Sequence, residues 1–120
     1  MMIMISGPYR SGTHDDPALI KANLDRLEAP ALAIFEKGHV PIIGEWLALP
    51  LMKMAGSQEI GDEIYDKISY PIAHRILRSC DAILRIEGVS KGADMDVEVG
   101  KKLGLQIFYN LADIPDESDQ

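Results

Sequence analysis

The chain has 120 residues, 47% of them hydrophobic and 26% charged, with 19 acidic against 12 basic side chains and a formal charge of -7. That length supports a single core, the composition excludes a disordered, collagenous or fibrous chain, and without a dense Lys/Arg cluster a DNA or RNA polymer is not the expected partner. The single cysteine, Cys80, fits a reducing compartment, and no apolar run nears the roughly 18 residues that span a bilayer. Met1 to Ser6 is too short and uncharged for a signal peptide, so a cytoplasmic protein with no membrane partner is expected.

Met1 to Ser6 is apolar and halts at Gly7-Pro8, which predicts a short buried strand. Asp16-Pro17 predicts a helix N-cap with proline at the first helical position. Ile20, Leu24, Leu27, Ala31 and Ile34 then recur at helical spacing up to a stop at Lys37-Gly38, with a kink expected at Pro30. His39 to Ile43, with Pro41 inside it, predicts a strand near its end or at a sheet edge. Glu45 to Ala55 has helical composition divided by Pro50, and Gly56 to Gly61 reads as a loop. Ile64 to Ser79 is helical in pattern, with one helix expected to end and another to begin near Pro71, and Ile72, Ile76 and Leu77 facing the core.

Ala82 to Ile86 predicts a third strand, Gly92 to Leu103 a helix with Met95, Val99 and Leu103 in the core, and Leu105 to Tyr109 a fourth strand. Strands alternating with helices predict an α/β domain over residues 1–112, a small parallel sheet with helices on both faces in a Rossmann- or flavodoxin-like three-layer arrangement. Residues 113–120 form an acidic tail expected to be flexible.

In such a sheet ligands bind beyond the carboxyl ends of the strands. Three segments reach that edge. Gly7-Pro8-Tyr9-Arg10-Ser11-Gly12 brings glycines that permit close backbone approach and an arginine able to make paired bonds to a phosphate or carboxylate. It is neither a P-loop nor the spaced-glycine dinucleotide fingerprint. Ser90-Lys91-Gly92 opens a helix whose free N–H groups favour an anion, though Ser90 and Gly92 also suit a plain helix cap. Asp94 and Glu98 lie one turn apart on the next helix. They can line one wall of a pocket, or form a solvated face with Glu98 pairing Lys102.

Together these segments, with Cys80-Asp81-Ala82-Ile83-Leu84 and Val97-Glu98-Val99-Gly100-Lys101-Lys102-Leu103-Gly104, resemble the nucleoside 2-deoxyribosyltransferase-like superfamily from about Met2 to Phe108, and in particular its small hydrolases of deoxynucleoside monophosphates. The resemblance implies a glutamate nucleophile at Glu98, which would attack the anomeric carbon and form a covalent glycosyl-enzyme released to water or to a second base. It further implies that Arg10, Ser11 and Ser90 hold a 5′-phosphate or sugar hydroxyls, that Tyr9 and the amides near Gly7 border a nucleoside pocket with Gly92 among its binding residues, and that Asp94 orients Glu98 or touches the sugar. Neither metal nor organic cofactor is implied, and family members are commonly homo-oligomers.

Where the related hydrolases carry an aspartate that protonates the leaving base, this chain has Ala73-His74, so His74 is the substitute donor, with Asp62, Glu63 and Asp66 as other candidate acids. A chain without a working acid would be a nucleotide-binding or sensing module on the same fold. Trp46 suits base stacking, the core or a subunit interface, Leu47, Leu49, Leu51, Met52 and Met54 suggest burial against a second subunit, and Cys80 reads as an inert core thiol.

Overall fold

The computed structural model describes residues 1–118. In chain order its elements are β1 (Met2–Ser6), α1 (Pro17–Glu28), α2 (Ala31–Glu36), β2 (Val40–Ile43), α3 (Gly44–Met54), α4 (Glu63–Leu77), β3 (Ala82–Arg85), α5 (Lys91–Lys102) and β4 (Gln106–Phe108), followed by a 3-10 turn at Leu111–Asp113. The four strands form an all-parallel sheet in the order β2-β1-β3-β4, with Ile3 opposite Pro41 on one side and Ala82 on the other. Both faces are covered, as the unbroken apolar run of β1 requires. Ile3 and Ile5 point into one cluster with Leu27 and Ile34 of α1 and α2, while Met4 points into the other with Ala73, Ile76 and Leu77 of α4. This is the expected three-layer α/β arrangement.

Local signals hold where they are strongest. Asp16 caps α1 by accepting from the Ala18 amide at 2.9 Å, Ser90 caps α5 by accepting from the Ala93 amide at 3.1 Å, and Pro41 lies in an edge strand. At Pro30 the expected kink is a full break, α1 ending at Glu28 and α2 starting at Ala31. Pro50 and Pro71, by contrast, break nothing: each sits inside a continuous helix. A proline in a helix interior costs about 3 kcal/mol. Burial of Met52 and Ala48 around Pro50, and of Ala73, Ile76 and Leu77 after Pro71, offsets much of that loss, since one fully buried large apolar side chain contributes about 1.5–3 kcal/mol.

The acidic end, predicted to be flexible, is docked as far as Glu117. Ile114 is buried, Lys37 Nζ donates to the carbonyls of Leu111 and Ile114 at 3.3 and 2.8 Å, and the Glu117 amide donates to the Lys37 carbonyl at 2.7 Å. His39, itself buried, places Nε2 2.7 Å from the Pro115 carbonyl oxygen. Residues 119 and 120 of that tail lie outside the described residues. No described helix is long and apolar enough to cross a membrane.

Helix α5 approaches the sheet closely because Gly100 has no side chain: a Cβ there would stand 2.6 Å from Ile83 Cδ1 and 3.4 Å from Ile107 Cδ1. Gly100→Val should therefore destabilise the fold by about 1–3 kcal/mol through overpacking, read as a lower midpoint in urea denaturation. An unchanged midpoint would mean that α5 lifts off the sheet without penalty.

Candidate functional site

The chain passes from β1 outward to β2 and then back across to β3, so the connections diverge between β1 and β3 and leave a crevice at the carboxyl ends of the strands. A cavity of about 340 Å³ lies there. Its walls are Ser6 and the loop after it (Gly7, Tyr9, Arg10, Ser11), the start of α3 (Gly44, Glu45), Tyr65, Asp66 and Tyr70 of α4, and the first turns of α5 (Ser90, Lys91, Gly92, Ala93, Asp96).

Most of the residues singled out in the sequence come together here. Gly7 must be glycine, because a Cβ would stand 2.8 Å from Ile86 Cβ. Tyr9 is buried, which pushes its phenol up to about 12, and Asn23 Nδ2 donates to its carbonyl at 2.8 Å. Ser11, Ser90 and Gly92 also line the cavity, with the Ser90 hydroxyl occupied as the cap of α5. Arg10 lies at the rim, its guanidinium making two bonds to Asp15 at 2.6 and 3.1 Å and standing 5.9 Å from the Tyr65 ring centroid.

Glu98, Asp94 and His74 lie elsewhere. Glu98 and Asp94 are exposed and do not line the cavity, and Asp94 pairs with Arg85 at 2.9 Å. The reason is helix phase. The buried stripe of α5 is Ala93, Asp96, Val97 and Gly100; of the expected core residues Val99 packs partly buried against the Met4 cluster, Met95 is only half-buried, and Leu103 is 45% exposed. The helix is turned by one residue relative to the expectation, so the carboxylate brought to the site is Asp96. His74 does not line the cavity either. It stands behind Asp96, with Nε2 3.7 Å from Asp96 Oδ1.

Asp96 is 7% exposed and accepts from Ser6 Oγ at 2.6 Å. Desolvation raises its pKa above the ordinary carboxylate value, and the Ser6 hydroxyl and His74 act in the opposite direction without cancelling it. His74 Nε2 and Asp96 Oδ1 are both buried without a hydrogen-bond partner, and 3.7 Å is too long for a bond between them. Glu45, the second residue of α3, is a further group the sequence reading passed over. Burial pushes its carboxyl up to about 7, Asp96 adds repulsion in the same direction, and its own backbone N–H only partly offsets both. Two signals were present in the sequence: Glu45 stands two residues past the end of a strand, and Ala93, Asp96 and Gly100 repeat at helical spacing with small residues that mark a face packed tightly on the sheet.

Of the other candidate acids, Asp62 caps α4 by accepting from the Tyr65 amide at 2.8 Å, Glu63 pairs with Lys67 at 3.0 Å, and Asp66 lines the cavity but is exposed. Trp46 stands outside the cavity, donating to Glu28 Oε2 at 2.8 Å. Cys80 is a buried thiol whose pKa burial raises to about 11, which leaves it protonated and unreactive at neutral pH. Comparison with protein-family models, curated proteins and solved structures finds no match to this chain.

Glu45 has a consequence for stability. Its folded pKa of about 7 exceeds the ordinary 4.5, so the folded state holds a proton that the unfolded chain releases, and stability falls as pH rises between those values. At 1.36 kcal/mol per unit the effect is about 3 kcal/mol. Glu45→Gln should remove that decline, so the difference between variant and wild-type stability, followed by urea denaturation from pH 4 to 8.5, should grow across the interval and then level off. A difference that stays flat would place Glu45 in water.

Proposed function

We propose that the chain cleaves or transfers at the N-glycosidic bond of a deoxynucleoside or its 5′-monophosphate, with Asp96 in the role that the family resemblance assigned to Glu98. The observation that carries this reading is the buried Asp96 carboxylate at the floor of a nucleoside-sized cavity, steadied by Ser6 at 2.6 Å, while Glu98 faces solvent. The resemblance of the first loop and of Ser90-Lys91-Gly92 to the nucleoside 2-deoxyribosyltransferase-like superfamily supports it from the sequence side.

In this mechanism the carboxylate forms a bond to the anomeric carbon as the bond to the base breaks, and the leaving base keeps the electron pair. Water, or a second base, then takes the sugar from the glycosyl ester and restores the carboxylate, so two displacements retain configuration. The chemistry runs on side chains alone. Tyr9, Tyr65 and Tyr70 give the base aromatic surfaces, and Tyr70, 38% exposed, stands at the open side.

The test is release of free base from a panel of deoxynucleosides and their monophosphates, with and without an acceptor base. Asp96→Asn should lower cleavage by about a thousandfold or more, and Glu98→Gln should leave it within about twofold. The reverse pattern would restore Glu98 as nucleophile. Nucleotide binding by calorimetry with no cleavage of any substrate would leave a binding module. Because Arg10 is tied to Asp15, Lys91 is the cavity cation without an ion pair among the described residues. Lys91→Ala should accordingly weaken monophosphates about tenfold more than nucleosides, as loss of one charged hydrogen bond would. The exposed strip of Trp46, Leu47, Leu51 and Met54 on α3 fits a second copy of the chain, and a monomer in sedimentation velocity at micromolar concentration would remove that part of the reading.

A further inference from the structure

We infer that Glu45 is the acid that gives a proton to the departing base, the role for which the sequence suggested His74; the inference rests on the glycosidic reading with Asp96 as nucleophile. The cavity needs such a group, because a purine or pyrimidine leaves poorly as an anion, and positioned proton donation contributes about 10²–10⁴-fold. His74 stands behind Asp96 and outside the cavity, Asp62 is committed as a helix cap and Glu63 to Lys67. Asp66 reaches the cavity but is exposed to solvent.

Glu45 differs from all of these. It enters from the first turn of α3, immediately beyond the end of β2, into the same cavity as Asp96, and it makes no ion pair among the described residues. The groups around it are Tyr9 from the loop after β1, Tyr65 and Asp66 from α4, and Asp96 from α5, with Arg10 and Lys91 as the cations of the cavity wall. None of the first four supplies positive charge, and Arg10 is neutralised by Asp15. Burial and the neighbouring Asp96 charge, rather than either cation, act most strongly on the carboxyl and raise it to about 7.

The coupling between the two carboxylates also times the transfer. When Asp96 bonds to the anomeric carbon its negative charge is lost, and with it the repulsion that held the proton on Glu45. The bond to the base breaks, its electron pair stays on the base nitrogen, and that nitrogen takes the Glu45 proton. In the second half the ionised Glu45 accepts a proton from water as the water oxygen bonds to the anomeric carbon and Asp96 leaves as a carboxylate. Each step returns the pair to one charge, carried in turn by one partner and then the other.

The experiment compares two leaving groups in wild type and Glu45→Gln: a purine deoxynucleoside, which needs protonation, and a nitrophenyl 2-deoxyriboside, which does not. The variant should lose about a hundredfold or more on the deoxynucleoside and less than about fivefold on the nitrophenyl substrate. In wild type, kcat/KM on the deoxynucleoside should fall as pH rises through about 7, and that limb should vanish in Glu45→Gln and persist, displaced, in Glu45→Asp. Equal losses on the two substrates, an unimpaired Glu45→Gln, or a limb unchanged in the variant would overturn the assignment while leaving Asp96 as nucleophile. Wild type that cleaves neither substrate would overturn the glycosidic reading and this inference with it.

Discussion

Asp96 lies on the sheet-facing stripe of α5, where an ionised carboxylate is several kcal/mol too costly unless partners are supplied, and Ser6 supplies one from the last residue of β1. That 2.6 Å bond ties the end of β1 to the first turns of α5, both of which line the cavity. It also sets the depth at which α5 rests, together with Gly100 packed against Ile83. With α5 seated there, Ser90, Lys91 and Gly92 fall at the cavity wall and Asp94 and Glu98 are turned away to solvent.

The electrostatics of the cavity follow from the same seating. Two carboxyl groups share the cavity and burial raises both, Asp96 raising Glu45 further, while Ser6, His74 and Arg85 only partly relieve Asp96 and Arg10 is held by Asp15. Such a pair opposes folding. It is tolerated because the sheet is buried on both sides by clusters that include seven or more large apolar side chains in total, each contributing about 1.5–3 kcal/mol, so a penalty of about 3 kcal/mol at one edge is affordable. A site that stored this charge in the middle of the sheet would displace one of those clusters. At the strand ends it displaces only water.

The fold was legible in the sequence because its strongest signals are local: Gly7-Pro8 after β1, Asp16-Pro17 before α1, Gly38 after α2, and strands apolar throughout because both faces are covered. The prolines misled where packing outweighed propensity, at Pro50 and Pro71. The docked end of the chain was hidden because Lys37, Gly38 and His39 receive it from more than 70 residues away, a contact that no local pattern encodes. The site was half legible. The first loop and Ser90 to Gly92 follow from the rule for strand ends, but the phase of α5 depends on which stripe meets the sheet, and a helix with Met95 and Val99 on one side and Val97 and Ala93 on another offers two plausible faces. The small residues Ala93 and Gly100 decide between them, since only a face without bulk can approach Ile83.

The loop after β1 shows how far the site depends on core packing. Gly7 passes between Ile86 and Leu27, where a Cβ would lie 2.8 and 3.1 Å from side-chain carbons, and Asn23 from α1 holds the Tyr9 carbonyl beyond it. Arg10 is then carried to the rim, where Asp15 grips it. His14 and Asp15 both adopt left-handed backbone, at φ 50° and 60°, a conformation that aspartate tolerates better than most residues. The turn thus carries some strain, and the two bonds from Arg10 to Asp15 help to hold it. An anionic ligand that drew Arg10 away would have to replace those bonds and leave the turn without its clasp. A neutral sugar would have no such competition to meet, so the first loop favours a nucleoside unless a phosphate can be shared between Arg10 and Lys91.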